Sequence, residues 1–267
     1  MRRKAAVAGQ FYHSDRERLT KEVNKYILTN IPKEKVIAAL CPHAGLVYSG
    51  SVAGAVYSHI DMPETFILIG PNHTGIGARV SLMAQGDWEI PTGVMPIDQR
   101  LARKILSESD LITPDTQAHL FEHSLEVQLP FIAYLSAGAK IVPITVMHAT
   151  LEECKLMGEA IARSISQAGY PVVIIASSDM SHYVSDDVAR KKDKMAINRL
   201  LQLDPEGLYN TVNSERISMC GYIPATIMLY AAKALNAKEA RLIKYATSGD
   251  VSGDYDYVVG YAGIIIK

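Results

Sequence analysis

Three short apolar runs, each stopped abruptly and each followed by a histidine, constrain this chain more than any other feature. Val36 to Cys41 leads into Pro42 and His43. Phe66 to Ile69 leads into Gly70, Pro71, Asn72 and His73. Val172 to Ala176 leads into Asp179 and His182. Unbroken apolar runs this short, closed by Gly, Pro or Ser, predict buried strands. Each histidine then falls in the loop past a strand's carboxyl end, the rim where ligands bind in an open parallel sheet. One loop histidine is ordinary. Three at equivalent places predict convergence on one point, which a metal or proton-transfer site requires.

Between these runs lie helical patterns. Ser14 or Asp15 caps a predicted helix to about Thr29, with Leu19, Val23, Tyr26 and Ile27 on one face. Further helices are predicted over SVAGAVYSHI from a Ser49 or Ser51 cap, from Asp98 to Leu106, through Leu125, Leu129 and Ile132 with Ser124 as cap, and from Leu151 to Ala168. Helices are also predicted over 186–203 and 205–212, and along the apolar stretch MCGYIPATIMLYAAKAL. The region ARVSLMAQGDWEIPTGVMPID, broken at Gly86-Asp87 and Thr92-Gly93, predicts short antiparallel strands. KIVPITV, Ala240 to Thr247 and Tyr257 to Ile266 predict further strands. Strands alternating with helices and no dividing linker give an α/β class. The expectation is one domain over residues 1–267, with a mostly parallel central sheet flanked by helices.

Composition narrows the function. At 267 residues and 48% hydrophobic, the chain can bury a core without covalent staples. A net charge of -1 implies no broad basic surface, so nucleic acid is not an expected partner. The three cysteines, Cys41, Cys154 and Cys220, form no CxxC pair, which argues against a disulfide framework or a structural zinc site. No apolar run reaches membrane-spanning length and the start lacks a signal-peptide core, so the expected location is cytoplasmic. GxSxG, GxxxxGK, GxGxxG and HExxH patterns are absent from the contexts where they would carry chemistry.

The candidate site residues follow from the loops. His43 and His73 are candidate metal ligands. His182 completes the metal set or moves a proton. Asp179, three residues before His182, is placed to orient an imidazole or cap the following segment. His123 and Glu126 share a face at a helix start, and Glu126 among apolar neighbours is a candidate acid/base. Asp250 lies in the glycine-rich loop TSGDVSGDYD, which can bring a carboxylate to a site rim. Two or three histidines with a carboxylate suit non-haem iron, and zinc with a bound water uses the same ligands.

Five blocks in order, CPHAGLVYSG, GPNHTG, EHSLEVQLPF, SSDMSHY and YATSGDVSGDYDYVVGYAGI, resemble the Memo family across essentially the whole chain. The resemblance implies a fold similar to class III extradiol dioxygenases, non-haem iron enzymes that cleave catechol-type rings. It implies a metal pocket lined by His43, His73 and His182, with Fe(II) or copper as the metal and His182 in an acid/base role. In the family's animal member a cysteine near the C-terminus joins the first two histidines. Here the matching position falls at or near Val251 in SGDVSGD, without a cysteine, so Asp250 or His182 is left to complete the set. The animal member is also a cell-motility mediator that binds a phosphotyrosine-bearing tail. Prokaryotic members stand beside radical SAM and AMMECR-type proteins, which implies those as partners. The expected activity is a metal-dependent oxidoreductase. The alternative is a non-catalytic module that uses the pocket for a small-molecule or peptide ligand, with the histidines donating to an anionic group.

Overall fold

The computed structural model describes residues 1–267. In chain order the elements are β1 (Arg2–Arg3), α1 (Arg16–Tyr26), β2 (Ala38–Cys41), α2 (Leu46–His59), β3 (Thr65–Pro71), β4 (Val80–Leu82), β5 (Asp87–Ile90), β6 (Gly93–Pro96), α3 (Gln99–Glu108) and β7 (Thr113–Pro114). There follow α4 (Leu129–Leu135), β8 (Lys140–Val146), α5 (Leu151–Ser166), β9 (Val172–Ser177), β10 (His182–Val184), α6 (Asp186–Leu201), α7 (Pro205–Ser214), α8 (Tyr222–Ala234), β11 (Ala240–Thr247), α9 (Gly249–Ser252) and β12 (Val258–Ile266).

The main sheet runs β10-β12-β2-β9-β3-β8-β4-β7, with β11 on the other side of β12. Its centre, β2-β9-β3-β8, is parallel throughout. Those strands are buried on both faces, which is why the runs AALC and FILI are apolar without alternation. The expected parallel centre is therefore present, while the flanks turn antiparallel at β12/β2 and β4/β8, making the sheet as a whole mixed. Chain length gives the reason on one flank. Only residues 72–79 link β3 to β4, fewer than the dozen or so that a crossover to a parallel neighbour needs. A separate three-stranded sheet pairs the β5/β6 hairpin with β1.

Helices cover the sheet on both faces. Helix α2 packs on β2, β11 and β12 with α1 and α4 beside it, while α8 packs on β2, β3 and β9 with α5 and α7. Asp15 caps α1 by accepting from Arg18 N, and Leu19 and Val23 are its buried face. Helix α2 begins directly after Gly45, ahead of both predicted serine caps. Ser124 caps no helix: its hydroxyl donates to Pro71 O at 2.9 Å, and Glu126–Gln128 forms a 3-10 turn that runs into α4. Strand β3 continues through Gly70 and Pro71 because Thr145 and Val146 of β8 remain available to pair with them. No helix is long and apolar enough to cross a membrane.

Candidate metal centre

The three histidine-bearing strands are neighbours in the order β2-β9-β3, so their carboxyl ends lie side by side. His43 stands two residues past the end of β2, His73 two past β3, and Asp179 two past β9. A fourth segment, residues 120–125, crosses the same rim between β7 and α4 and delivers His123. Gly70 makes room for it, because a Cβ there would lie 2.7 Å from both Ser124 Oγ and Leu125 Cδ2.

The rings of His43, His73 and His123 converge. Centroids are 5.3 Å apart for His43–His73, 5.4 Å for His43–His123 and 4.6 Å for His73–His123. One nitrogen from each lies within 4.8 Å of the others, a spacing that three ligands of one ion satisfy. His43 is buried, His123 half-buried and His73 exposed, so the cluster opens on one side. That side is a cavity of about 630 Å³ whose walls include His182, Asp179 and several tyrosines.

Hydrogen bonds fix which nitrogen each ring presents. Ser177 Oγ donates its one hydrogen to Ser124 O at 2.6 Å and accepts from Gln128 Nε2 at 2.8 Å. It lies 2.9 Å from His43 Nδ1, so that nitrogen must be the donor. Gln128 is itself pinned, donating to Pro42 O and accepting from the Tyr57 hydroxyl. His73 Nδ1 donates to Glu122 Oε1 at 2.9 Å, and His182 Nδ1 donates to the carbonyl of Ser218 at 2.9 Å. His123 Nδ1 lies 3.4 Å from Glu122 Oε1. His43, His73 and His182 therefore spend the Nδ1 proton on the protein and turn the Nε2 lone pair away from it, that of His43 toward the Cys220 thiol at 3.3 Å. Carboxylate and carbonyl partners behind metal-bound imidazoles act in this way.

The electrostatics agree. Burial, then repulsion from His123 and His73, holds His43 well below its ordinary range, and burial also lowers His123 against the pull of Glu122. Both are neutral lone-pair donors at pH 7. Burial pushes the Glu122 carboxyl up, but the hydrogen bond and charge of His73 and the Ser124 N–H outweigh it, leaving it at about 2. Asp179 is raised by burial, with the N–H groups of His43 and Ala44 pulling the other way. Its Oδ1 takes both of those N–H groups, so it shapes the His43 loop, and its other oxygen has no hydrogen bond within the protein.

The remaining sequence candidates sit apart. Glu126 is fully buried outside the cavity, accepting from Arg3, Ala6 N, Val7 N and the Tyr12 hydroxyl. It ties down the N-terminal segment, whose Phe11 ring lies 4.6 Å from His123. Asp250 also lies outside the cavity; it accepts from Arg190 and from Thr247 N at 2.8 Å, closing the loop over α6. His182 lines the cavity but is not in the three-nitrogen group. His148, also just past a strand, is exposed and faces elsewhere.

Two residues were missed. Glu122 had a signal, since a carboxylate directly preceding a candidate ligand histidine in FEHS can reach back to a second imidazole. Cys220 corrects the expectation of a site without sulfur. Its Sγ lies 3.3 Å from His43 Nε2, while Val251, taken to match the missing cysteine, is half exposed on α9. The thiol arrives from the turn before α8, where Gly221 brings the chain hard against β9: a Cβ there would lie 2.4 Å from Ser177 O. Burial, then the nearby Asp179 charge, pushes the thiol up in the absence of a cation.

Fold and site together define an α/β protein with an imidazole-lined, metal-competent pocket at the carboxyl rim of its sheet. The chain belongs to the Memo family: the family described as Memo-like protein matches residues 3–265. MEMO1 family proteins from Aquifex aeolicus (43% identical over 267 residues, 98% of each chain) and Pyrobaculum aerophilum (41% over 275 residues, 98% of each) are similar to it along their length. So is one from Methanosarcina acetivorans, 42% identical over 267 residues and 99% of each chain. An uncharacterized protein from Escherichia coli K12 shares the fold at a TM-score of 0.56 and 14% identity, over 86% of this chain and 100% of that one.

Proposed function

We propose that His43, His73 and His123 hold a divalent transition metal, with Cys220 beside them, in a metal-dependent oxidoreductase that acts on a small aromatic compound. The observation that carries this reading is the hydrogen-bond arrangement. Three imidazoles, His43, His73 and His182, commit Nδ1 to the protein, and His43, His73 and His123 each bring one ring nitrogen within 4.8 Å of the others. Donors so arranged attract a cation. They offer no N–H to an anion, which disfavours the alternative in which the histidines capture an anionic side chain. Nitrogen donors with one sulfur suit iron, copper or zinc rather than magnesium or calcium.

A bound metal supplies Lewis acidity and, if it is iron or copper, electron transfer. The chain's own groups do the rest. Ser177, Gln128 and Glu122 hold the rings so that no reorientation is needed on binding. Asp179, whose second oxygen has no hydrogen bond within the protein, is placed to accept a proton beside the cavity, and His182 Nε2 is a second acceptor in the same wall. The half-open cluster leaves room for a substrate oxygen.

A second reading, a ligand-binding module without turnover, draws on the exposed rings of Tyr183 and Tyr257 at the mouth, 74% and 73% accessible. One experiment addresses both. Protein purified without oxygen is analysed for iron, copper and zinc beside His43→Ala, His73→Ala and His123→Ala, then assayed for oxygen uptake with catechol-type rings. Metal in the parent and its loss from each variant supports the site. Equal metal in all four samples overturns it, and tight ligand binding without oxygen uptake favours the module.

A further inference from the structure

We infer that the pocket selects a ligand carrying a positive charge, specifically a small aromatic amine, with its ammonium at Asp254 and its ring running in toward the histidines. This rests on the proposed function only for what happens at the ring's far end. The cavity is lined by two carboxylates, Asp179 and Asp254, by the rings of Tyr48, Tyr183, Tyr257 and Phe11, and by no lysine or arginine. Charge selection by such a wall is one-sided. An anion at the mouth meets two carboxylates and the electron-rich faces of tyrosines, and the histidines behind them present lone pairs.

The individual groups support a cation. Asp254 has no ion-pair partner; its Oδ1 accepts only from Asp256 N, at 3.0 Å. Asp179 is 5% exposed, and one of its oxygens has no hydrogen bond within the protein, in a wall of the same cavity. Tyr183 holds a left-handed backbone, φ +57°, a conformation that a bulky residue keeps only where its surroundings impose it, and such strain gathers at ligand clamps. Tyrosine faces attract ammonium groups, and a carboxylate at the rim adds a modest further attraction. A cavity of about 630 Å³ admits a planar ring with a short tail with room to spare, so selection rests on the charge and the aromatic walls rather than on size.

The test uses three phenols of similar size whose short tails carry a positive, zero or negative charge: tyramine, 4-ethylphenol and 4-hydroxyphenylacetate. Their dissociation constants are measured at pH 7 by calorimetry, on metal-free protein and on protein loaded with redox-inert zinc. Tyramine is expected to bind about tenfold more tightly than 4-ethylphenol, with 4-hydroxyphenylacetate weakest on the metal-free protein. Asp254→Asn should shrink the tyramine advantage to about threefold or less. Equal affinities, a preference for the acid on metal-free protein, an unchanged tyramine advantage in Asp254→Asn, or no measurable binding by any ligand overturns the inference. Zinc uptake is recorded on the same samples, so failure of the metal reading is seen separately from failure of charge selection.

Discussion

Glu126→Gln is expected to cost stability rather than chemistry. Glu126 and Arg3 both have side chains at 0% accessibility, and they form an ion pair. The carboxylate also accepts from Ala6 N at 2.8 Å, Val7 N at 3.1 Å and the Tyr12 hydroxyl at 2.5 Å. An amide keeps one acceptor oxygen and turns an NH₂ toward donors. Arg3 cannot follow water outward, because it is also bound to the carbonyls of His119 and Glu122. Its charge is then buried without a counter-charge. Breaking a buried pair from one side costs about 3–5 kcal/mol. For a domain of this size that corresponds to a fall of roughly 6–20 °C in Tm. Thermal melting followed by circular dichroism reads the midpoint, and hydrogen exchange over residues 4–12 reads the anchored segment. The expected result is a lowered midpoint and faster exchange there, with zinc uptake preserved well below the transition. An unchanged midpoint with zinc uptake or turnover lost would refute the reasoning and return Glu126 to an acid/base role.

Three further outcomes are expected. His123→Ala should lose metal at least as completely as His73→Ala, while His182→Ala should retain it and lose turnover; metal content and turnover read both. Ser177→Ala removes the acceptor of His43 Nδ1 and should weaken zinc binding by about 10–100-fold in a competition titration. Glu122 is held at about 2 against an ordinary 4.5, so it stabilises the native state fully above about pH 4.5, progressively less as pH falls, and not at all below about 2. The stability gap between the parent and Glu122→Gln, from denaturant titrations across that window, should therefore shrink by about 3 kcal/mol on acidification. A gap that is constant with pH contradicts the assignment.

The strands and their histidines were legible because burial on two faces leaves a plain mark, an unbroken apolar run ending at Gly-Pro or Pro. Position at the rim follows from the run alone, which is enough to locate His43 and His73. The cluster's third member was harder. His123 comes from a segment without regular periodicity, and its place depends on a contact with Pro71 more than fifty residues away in sequence. Glu126 looked like a site residue because a carboxylate among leucines reads as either an acid or half of a buried pair; its partner Arg3 lies 123 residues distant. Cys220 was hidden for the same reason. The resemblance placed a thiol near the C-terminus, and the loop chosen for it, rather than the start of α8, looked the more site-like. The parallel centre was legible from strands alternating with helices, but the antiparallel flanks were not, because apolar runs report burial and not direction.

The measurement closest to the central claim is nitrogen-15 NMR of selectively labelled histidines, before and after zinc is added at pH 7. His43 and His73 should each appear as the neutral Nδ1–H tautomer, with Nε2 bare, and those Nε2 resonances together with that of His123 should shift on zinc addition while His182 changes little. Nε2–H tautomers at His43 and His73, or three Nε2 signals that stay fixed as zinc is titrated in, would contradict it.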